Sequence, residues 1–216
     1  MAAVFRRWVV VLCLAAVAAG CGGTTQTQLP PAKTPAGFRL HTVSDPKFAI
    51  AVPQAWRTLD ARQALSSSRT KAFALANPEL SAEVETLARP NSPIKLLAID
   101  PHAAQGFATS LNVLQTRLPS KLSFEKWSAA ELAQLKLVRS ISGIRQSETQ
   151  LSPGRTLKLT YRARIRRQRG SFQAVIRQYL VKHNDFLYVL TYTTLPATVA
   201  RDRTIFDLSA RTFRVG

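Results

Sequence analysis

Few residues in this chain have both the type and the spacing that chemistry requires. Its three histidines, His41, His102 and His183, are far apart and show no paired spacing of the metal-ligating kind. Nucleophile elbows, phosphate-binding loops and dinucleotide fingerprints are all missing. Glu79, Glu83 and Glu85 cluster in sequence but read as a solvated helix face, not as a paired acid and base. Asp45, Asp60, Asp100 and Asp185 fall at turns or element ends, where aspartate serves capping and Asx-turn geometry. The only cysteines, Cys13 and Cys21, sit at the extreme N-terminus, so the rest of the chain has no thiol for a disulfide, a metal or nucleophilic attack. These residues predict a non-enzymatic protein with no cofactor and no metal.

The side chains that stand out are basic. The chain carries 30 Lys and Arg against 12 Asp and Glu, a formal charge of +18. From Thr149 to Asn184 there is no acid at all, while Arg155, Lys158, Arg162, Arg164, Arg166, Arg167, Arg169, Arg177 and Lys182 follow one another. Leu157, Leu159, Tyr161, Ala163 and Ile165 alternate with Lys158, Thr160, Arg162, Arg164 and Arg166, the period of a strand with one buried and one outward face. A hairpin turning at Arg169-Gly170 places Arg162 near Arg177 across the ladder, where like charges repel. Arg162, Arg164, Arg166 and Arg177 are therefore the candidate anion-binding residues. The competing reading is that acids from elsewhere in the fold neutralise the row.

The N-terminus determines which anions are within reach. Met1–Arg7 is basic, and Trp8–Ala19 is a run of twelve apolar residues, about 18 Å as a helix against a hydrocarbon core of about 30 Å. It is too short to span and reads as an export signal. Ala18-Ala19-Gly20-Cys21 resembles a bacterial lipobox, although that pattern prefers Leu where this chain has Ala18. The resemblance implies cleavage before Cys21, lipidation of its thiol, and an extracytoplasmic protein anchored to the bacterial cell membrane. Gly22–Ala36, rich in Gly, Thr, Gln and Pro, has no apolar period and reads as a flexible tether spanning roughly 20 Å. Export argues against nucleic acid as the partner, and no aromatics interleave with the arginines. Anionic lipid, an anionic wall polymer or an acidic protein face remain.

The elements that must position the basic row fill residues 37–216 as one domain. The composition, 46% hydrophobic and 19% charged, supplies a core of ordinary globular size. Phe38–Val43 and Lys47–Val52 flank a Ser44-Asp45-Pro46 turn and predict a hairpin, with Trp56 capping the core beyond Pro53. Asp60 can cap a short helix through about Ser66, Thr70–Leu75 is strand-like, and Asn77-Pro78 opens a helix reaching about Leu87. Ile94–Ile99 and Ala108–Leu118 read as strands. Ser123–Val138 is the clearest helix, with Phe124, Trp127, Leu132, Leu135 and Val138 at helical spacing. Strands follow at Ile144–Leu151, Thr156–Arg167, Ser171–Lys182 and Phe186–Thr194, and a final helix spans roughly Ala197–Ala210. Consecutive strand signals with helices between and after them give an α+β class.

This order resembles the PsbP-like superfamily, which includes the PsbP proteins of photosystem II, the Ran-binding Mog protein and LpqN-type lipoproteins. The residues that carry the likeness are Phe48-x-Ile50-x-Val52-Pro53-x-x-Trp56, the central helix, the meander, and the ending Thr212-Phe213-Arg214-Val215. The resemblance implies an α/β/α sandwich around an antiparallel sheet and a non-enzymatic binding or assembly role. No ligand-binding residue carries over from it. The functional expectation is a membrane-anchored envelope lipoprotein that binds an anionic partner or assists envelope assembly. The alternative is carriage of a small apolar or lipid ligand in a sheet–helix cleft, with Trp56, Phe107 and Trp127 as its imagined lining.

Overall fold

The computed structural model describes residues 33–64, 67–76, 80–102, 107–118, 122–167 and 170–216. Up to residue 32, the segments expected to be an export signal and a tether, with Cys21 between them, lie outside the described residues. Among the described residues, no helix is long and apolar enough to cross a membrane.

The first hairpin forms as the turn signal requires. Strands β1 (Phe38–Ser44) and β2 (Lys47–Pro53) pair antiparallel from Phe38↔Pro53 to Ser44↔Lys47. Strand β3 (Arg57–Asp60) leads into α1 (Ala61–Ala64), where the Asp60 carboxylate accepts from the Gln63 N–H at 2.8 Å. The segment Thr70–Leu75, expected as a strand, lies instead within helix α2 (Ser67–Ala76). Its four consecutive apolar residues carry no alternation, and Ala, Lys and Leu favour the helix wherever packing leaves the choice open. Packing decides little here, since Phe73 is buried while Leu75 stays 83% exposed. Helix α3 (Ser81–Leu87) follows, and the expected Asn77-Pro78 start lies outside the described residues.

Strands β4 (Ile94–Ile99) and β5 (Ser110–Arg117) precede helix α4 (Phe124–Leu137). Ser123 caps α4 by accepting from the Lys126 N–H at 3.3 Å, and Trp127 and Leu135 form its buried face. The meander comprises β6 (Ile141–Leu151), β7 (Gly154–Arg167), β8 (Gly170–His183) and β9 (Phe186–Thr194). Strand β6 starts earlier than expected. Gly143, at φ 63°, does not end the preceding loop but sits inside the strand, where the register shifts between Ser142 and Arg145. Helix α5 (Val199–Arg211) and the short β10 (Arg214–Val215) close the chain.

Seven strands form one sheet in the order β3-β4-β5-β9-β8-β7-β6, and β1-β2-β10 form a second. Since successive strand residues face opposite sides, the large sheet buries two sets. Leu96, Ala98, Leu111, Val113, Tyr179, Val181, Leu190 and Tyr192 meet Phe48, Ile50 and Val52 of the small sheet and Phe206 and Ala210 of α5. On the other face, Leu157, Leu159, Tyr161 and Leu180 meet Trp127 and Leu135 of α4, while Leu97 and Ile99 meet Phe73, Val84 and Leu87 of α2 and α3. The result is an α+β sandwich, with helices α1–α4 on one flank and α5 with the small sheet on the other. Helix α5 is fastened to β2 by hydrogen bonds: Ser209 donates to the Ala51 carbonyl at 2.6 Å, and the Ala51 N–H donates to Thr212 Oγ1 at 2.7 Å.

Candidate functional site

The alternation along β7 sends Lys158, Thr160, Arg162, Arg164 and Arg166 to the flank that carries α5. The register differs from expectation by two residues. Arg162 lies opposite Val175, and Arg177 lies opposite Thr160, so the two arginines are diagonal neighbours. The turn is centred one residue earlier than the Arg169-Gly170 signal suggested, and moving the centre by one moves the pairing by two.

The four candidate arginines then separate by environment. Arg162, Arg164 and Arg166 are exposed. Among the described residues, no carboxylate lies within ion-pair distance of them. Arg177 is only 8% exposed and forms an ion pair, Nη1 to Asp207 Oδ1, at 3.0 Å. Asp207 comes from α5 and also receives Lys158 Nζ at 2.9 Å and the Tyr179 hydroxyl. Burial opposes ionisation of Asp207, but the hydrogen bonds from Tyr179 and Lys158 and the charge of Arg177 outweigh it and hold the carboxyl below its usual range. Burial, followed by the same hydrogen bond to Asp207, pushes the Tyr179 phenol well above its usual value.

Neutralisation by distant acids therefore occurs, but only in part. It reaches Lys158 and Arg177 through Asp207, and on the opposite flank it reaches Arg155, whose Nη2 meets Glu148 Oε1 at 2.7 Å and whose Nη1 meets Glu125. Among the described residues it does not reach Arg162, Arg164 or Arg166 in the outer half of β7. The fold also adds cations that β7 and β8 do not supply. Arg145 of β6 pairs with Thr160 and so joins the same face, and Arg203 and Arg211 of α5 border it. Six cations from the outer strands (Arg145, Lys158, Arg162, Arg164, Arg166, Arg177) and Arg203 and Arg211 of α5 face this side, and Asp207 is the one carboxylate lining the cleft they border. Between α5 and β7–β8 runs an open cleft of about 560 Å³ lined by Lys158, Arg177, Arg203, Thr204, Asp207, Leu208 and Arg211. Sequence reasoning missed Arg145, Arg203, Arg211 and Asp207. The spacing of Arg203, Asp207 and Arg211, one turn apart on a single helix face, was the available signal.

A second carboxylate, this one buried, holds the start of α5. Asp202, 1% exposed, accepts from Thr109 Oγ1 at 2.9 Å, from the Thr194 hydroxyl and from Arg201 Nε at 2.7 Å. This network clasps the start of α5 to the ends of β5 and β9. Burial opposes the charge of Asp202, yet these hydrogen bonds hold its carboxyl below the usual range. His102 sits beside Asp100, Nδ1 to Oδ1 at 3.2 Å, in an Asx turn that also takes the His102 N–H. His41 and His183 lie on other strands, and among the described residues no group of His, Cys, Asp or Glu is placed to hold a metal. Trp56, Phe107 and Trp127 do not share a lining. Trp56 lies in the cluster beneath α5, Trp127 in the cluster beneath α4 across the sheet, and Phe107 packs on Phe172.

No protein-family profile and no curated protein matches the chain. Solved structures do. Cyanobacterial PsbP from Synechocystis sp. PCC 6803 aligns over 92% of this chain and 98% of its own at 12% identity, with a TM-score of 0.55. The fold is PsbP-like. Two further PsbP-like neighbours are LpqN of Mycobacterium tuberculosis, described as involved in cell envelope biogenesis, and the Ran-binding protein Mog1p of Saccharomyces cerevisiae. LpqN is 13% identical over 87% of this chain and all of its own, with a TM-score of 0.51. Mog1p is 12% identical over 82% and 95%, with a TM-score of 0.50. At these identities the PsbP-like likeness is one of architecture, and the basic flank is read from this chain's own residues.

Proposed function

We propose that this protein is a non-catalytic, lipid-anchored envelope protein whose PsbP-like domain docks on an anionic surface through the β6–β8 flank. The observation that supports it is the charge imbalance there: eight cations around a cleft lined by the one carboxylate Asp207, and Arg162, Arg164 and Arg166 exposed without an acid partner among the described residues. Each Lys or Arg close to an anionic surface contributes roughly 1 kcal/mol, so the three exposed arginines alone contribute enough to orient a tethered domain. A lipid at Cys21 and the tether behind it would keep that flank within reach of lipid headgroups and wall polymer. LpqN, with the same fold, is tied to envelope biogenesis, which fits this setting. Catalysis is not part of the proposal, because the cleft offers Asp207 already bound by Lys158, Arg177 and Tyr179, with no histidine or second carboxylate in its lining. Vesicle sedimentation tests the proposal. Replacing Arg162, Arg164 and Arg166 with Gln should weaken binding to anionic vesicles and flatten its salt dependence, and unchanged binding would refute it.

A further inference from the structure

Resting on that docking role, we infer that the cleft between α5 and β7–β8 is a subsite for a phosphate ester group. The flat outer part of the flank attracts an anionic surface, and the cleft seizes one of its phosphates.

Asp207 organises the cleft. Arg203 and Arg211 lie one turn before and one turn after it, the spacing at which side chains on a helix pair with each other. They do not take it. The Asp207 carboxylate turns to the sheet, where Lys158, Arg177 and Tyr179 hold it. Arg203 and Arg211 are left exposed at the mouth of the cleft, and among the described residues no carboxylate lies within ion-pair distance of either. The Arg177 guanidinium forms the floor. Its Nη1 reaches Asp207 and the Arg203 carbonyl, and the group also meets the Tyr179 hydroxyl, out of the five N–H donors that a guanidinium carries.

Four cations around one carboxylate leave a formal surplus of three positive charges, which a dianion offsets better than a monoanion. Guanidinium groups bind the oxygens of phosphate in pairs, and Thr204 adds a hydroxyl at the rim. A cleft of about 560 Å³ holds the phosphate and the polar part of its ester, within the size range of small-ligand sites. Asp207 supplies specificity: it already satisfies part of the charge, so a lone carboxylate gains too little to bind. A phosphate monoester headgroup, as in phosphatidic acid, presents this dianion, while each diester phosphate of a poly(glycerol phosphate) wall polymer presents a monoanion.

The test uses the full chain carrying Cys21→Ser, so that no acyl chain is attached, purified in non-ionic detergent and titrated calorimetrically with sn-glycerol 3-phosphate and with acetate. Glycerol phosphate should bind one saturable site and acetate should not. Arg203→Gln with Arg211→Gln should weaken that site roughly tenfold or more, given the strength of hydrogen bonds to charged groups. The Arg162, Arg164 and Arg166→Gln variant should keep the site within about twofold while losing vesicle binding. A thermal transition at the wild-type temperature confirms that the variants are folded. Phosphatidic acid vesicles should compete for the site more strongly than poly(glycerol phosphate), whose diester phosphates carry one charge each, and the reverse order would overturn the preference for a dianion. No saturable binding to the wild type, equal binding of acetate, or equal weakening by both variants would overturn the subsite. The docking role fails separately, if the strand variant leaves vesicle binding intact.

Discussion

Replacing Asp207 with Asn should make the domain less stable and its cleft a better anion site at once. The carboxylate neutralises Lys158 and Arg177, whose side chains are 25% and 10% exposed, and its own side chain is 34% exposed. The amide of the variant would keep the shape and could still accept a hydrogen bond from Tyr179, but it would leave both cations without a counter-charge. Lys158 can turn to water, so most of the penalty falls on Arg177, which cannot. Breaking a fully buried pair costs about 3–5 kcal/mol, and the partial exposure here reduces that to about 2 kcal/mol. For a domain of this size that lowers Tm by roughly 4–8 °C. The pH dependence has a definite sign. The folded-state pKa of Asp207 lies below the ordinary 3.8, so its contribution is complete above that value and is lost as the pH falls through the depressed one. The stability gap between wild type and variant should be full at neutral pH and shrink below pH 3.8. Removing the internal anion should meanwhile tighten glycerol phosphate binding and admit acetate. Scanning calorimetry across pH, with anion titrations on the same samples, reads both effects. An unchanged Tm at neutral pH, or weaker phosphate binding, would refute the role given to Asp207.

Three further outcomes follow from other parts of the chain. Thr194→Val removes one hydroxyl from the buried Asp202 carboxylate and should cost about 1.5–3 kcal/mol, read by denaturant unfolding. Deleting Met1–Ala36 should leave a cooperatively unfolding domain, and a broad non-cooperative transition would show that the N-terminal segment is structural. Cys21→Ser should abolish acylation and release the protein from membranes after a high-salt wash, and continued pelleting would place the anchor elsewhere.

The parts of the fold legible in sequence are those where one residue pattern has one physical solution. The alternation Leu157, Leu159, Tyr161 against Lys158, Arg162, Arg164 fits only a half-buried strand, and the Ser123 cap before Trp127 and Leu135 fits only a helix packed on one side. Thr70–Leu75 misleads because a short apolar run without a period carries no information about face, and Phe73 alone cannot supply it. The Arg162 to Arg177 register fails by two because a hairpin's register depends on where its turn is centred, to within one residue. The candidate site is half legible. Arg162, Arg164 and Arg166 announce themselves through a stretch free of acids. That stretch cannot show that Arg177 is claimed by Asp207, or that Arg145, Arg203 and Arg211 join the same flank. Arg145 joins through the β6–β7 pairing, whose register shifts between Ser142 and Arg145, and the α5 residues join because that helix folds back over β7 and β8, the Lys158–Asp207 contact spanning 49 positions.

The central claim is that charge on the β6–β8 flank docks this domain on an anionic surface. Its most direct test is the affinity of the domain lacking Met1–Ala36 for phosphatidylglycerol-containing vesicles, measured over a range of salt concentrations, with and without Arg162, Arg164 and Arg166→Gln. At about 1 kcal/mol per arginine, the variant should bind roughly a hundredfold more weakly at low salt, with a shallower loss of affinity as salt rises. Its Tm should hold or rise slightly, because repulsion within the row is relieved. If the wild-type domain has no measurable affinity at low salt, or the variant matches it at every salt concentration, the basic flank is a solvated surface and the docking role is wrong.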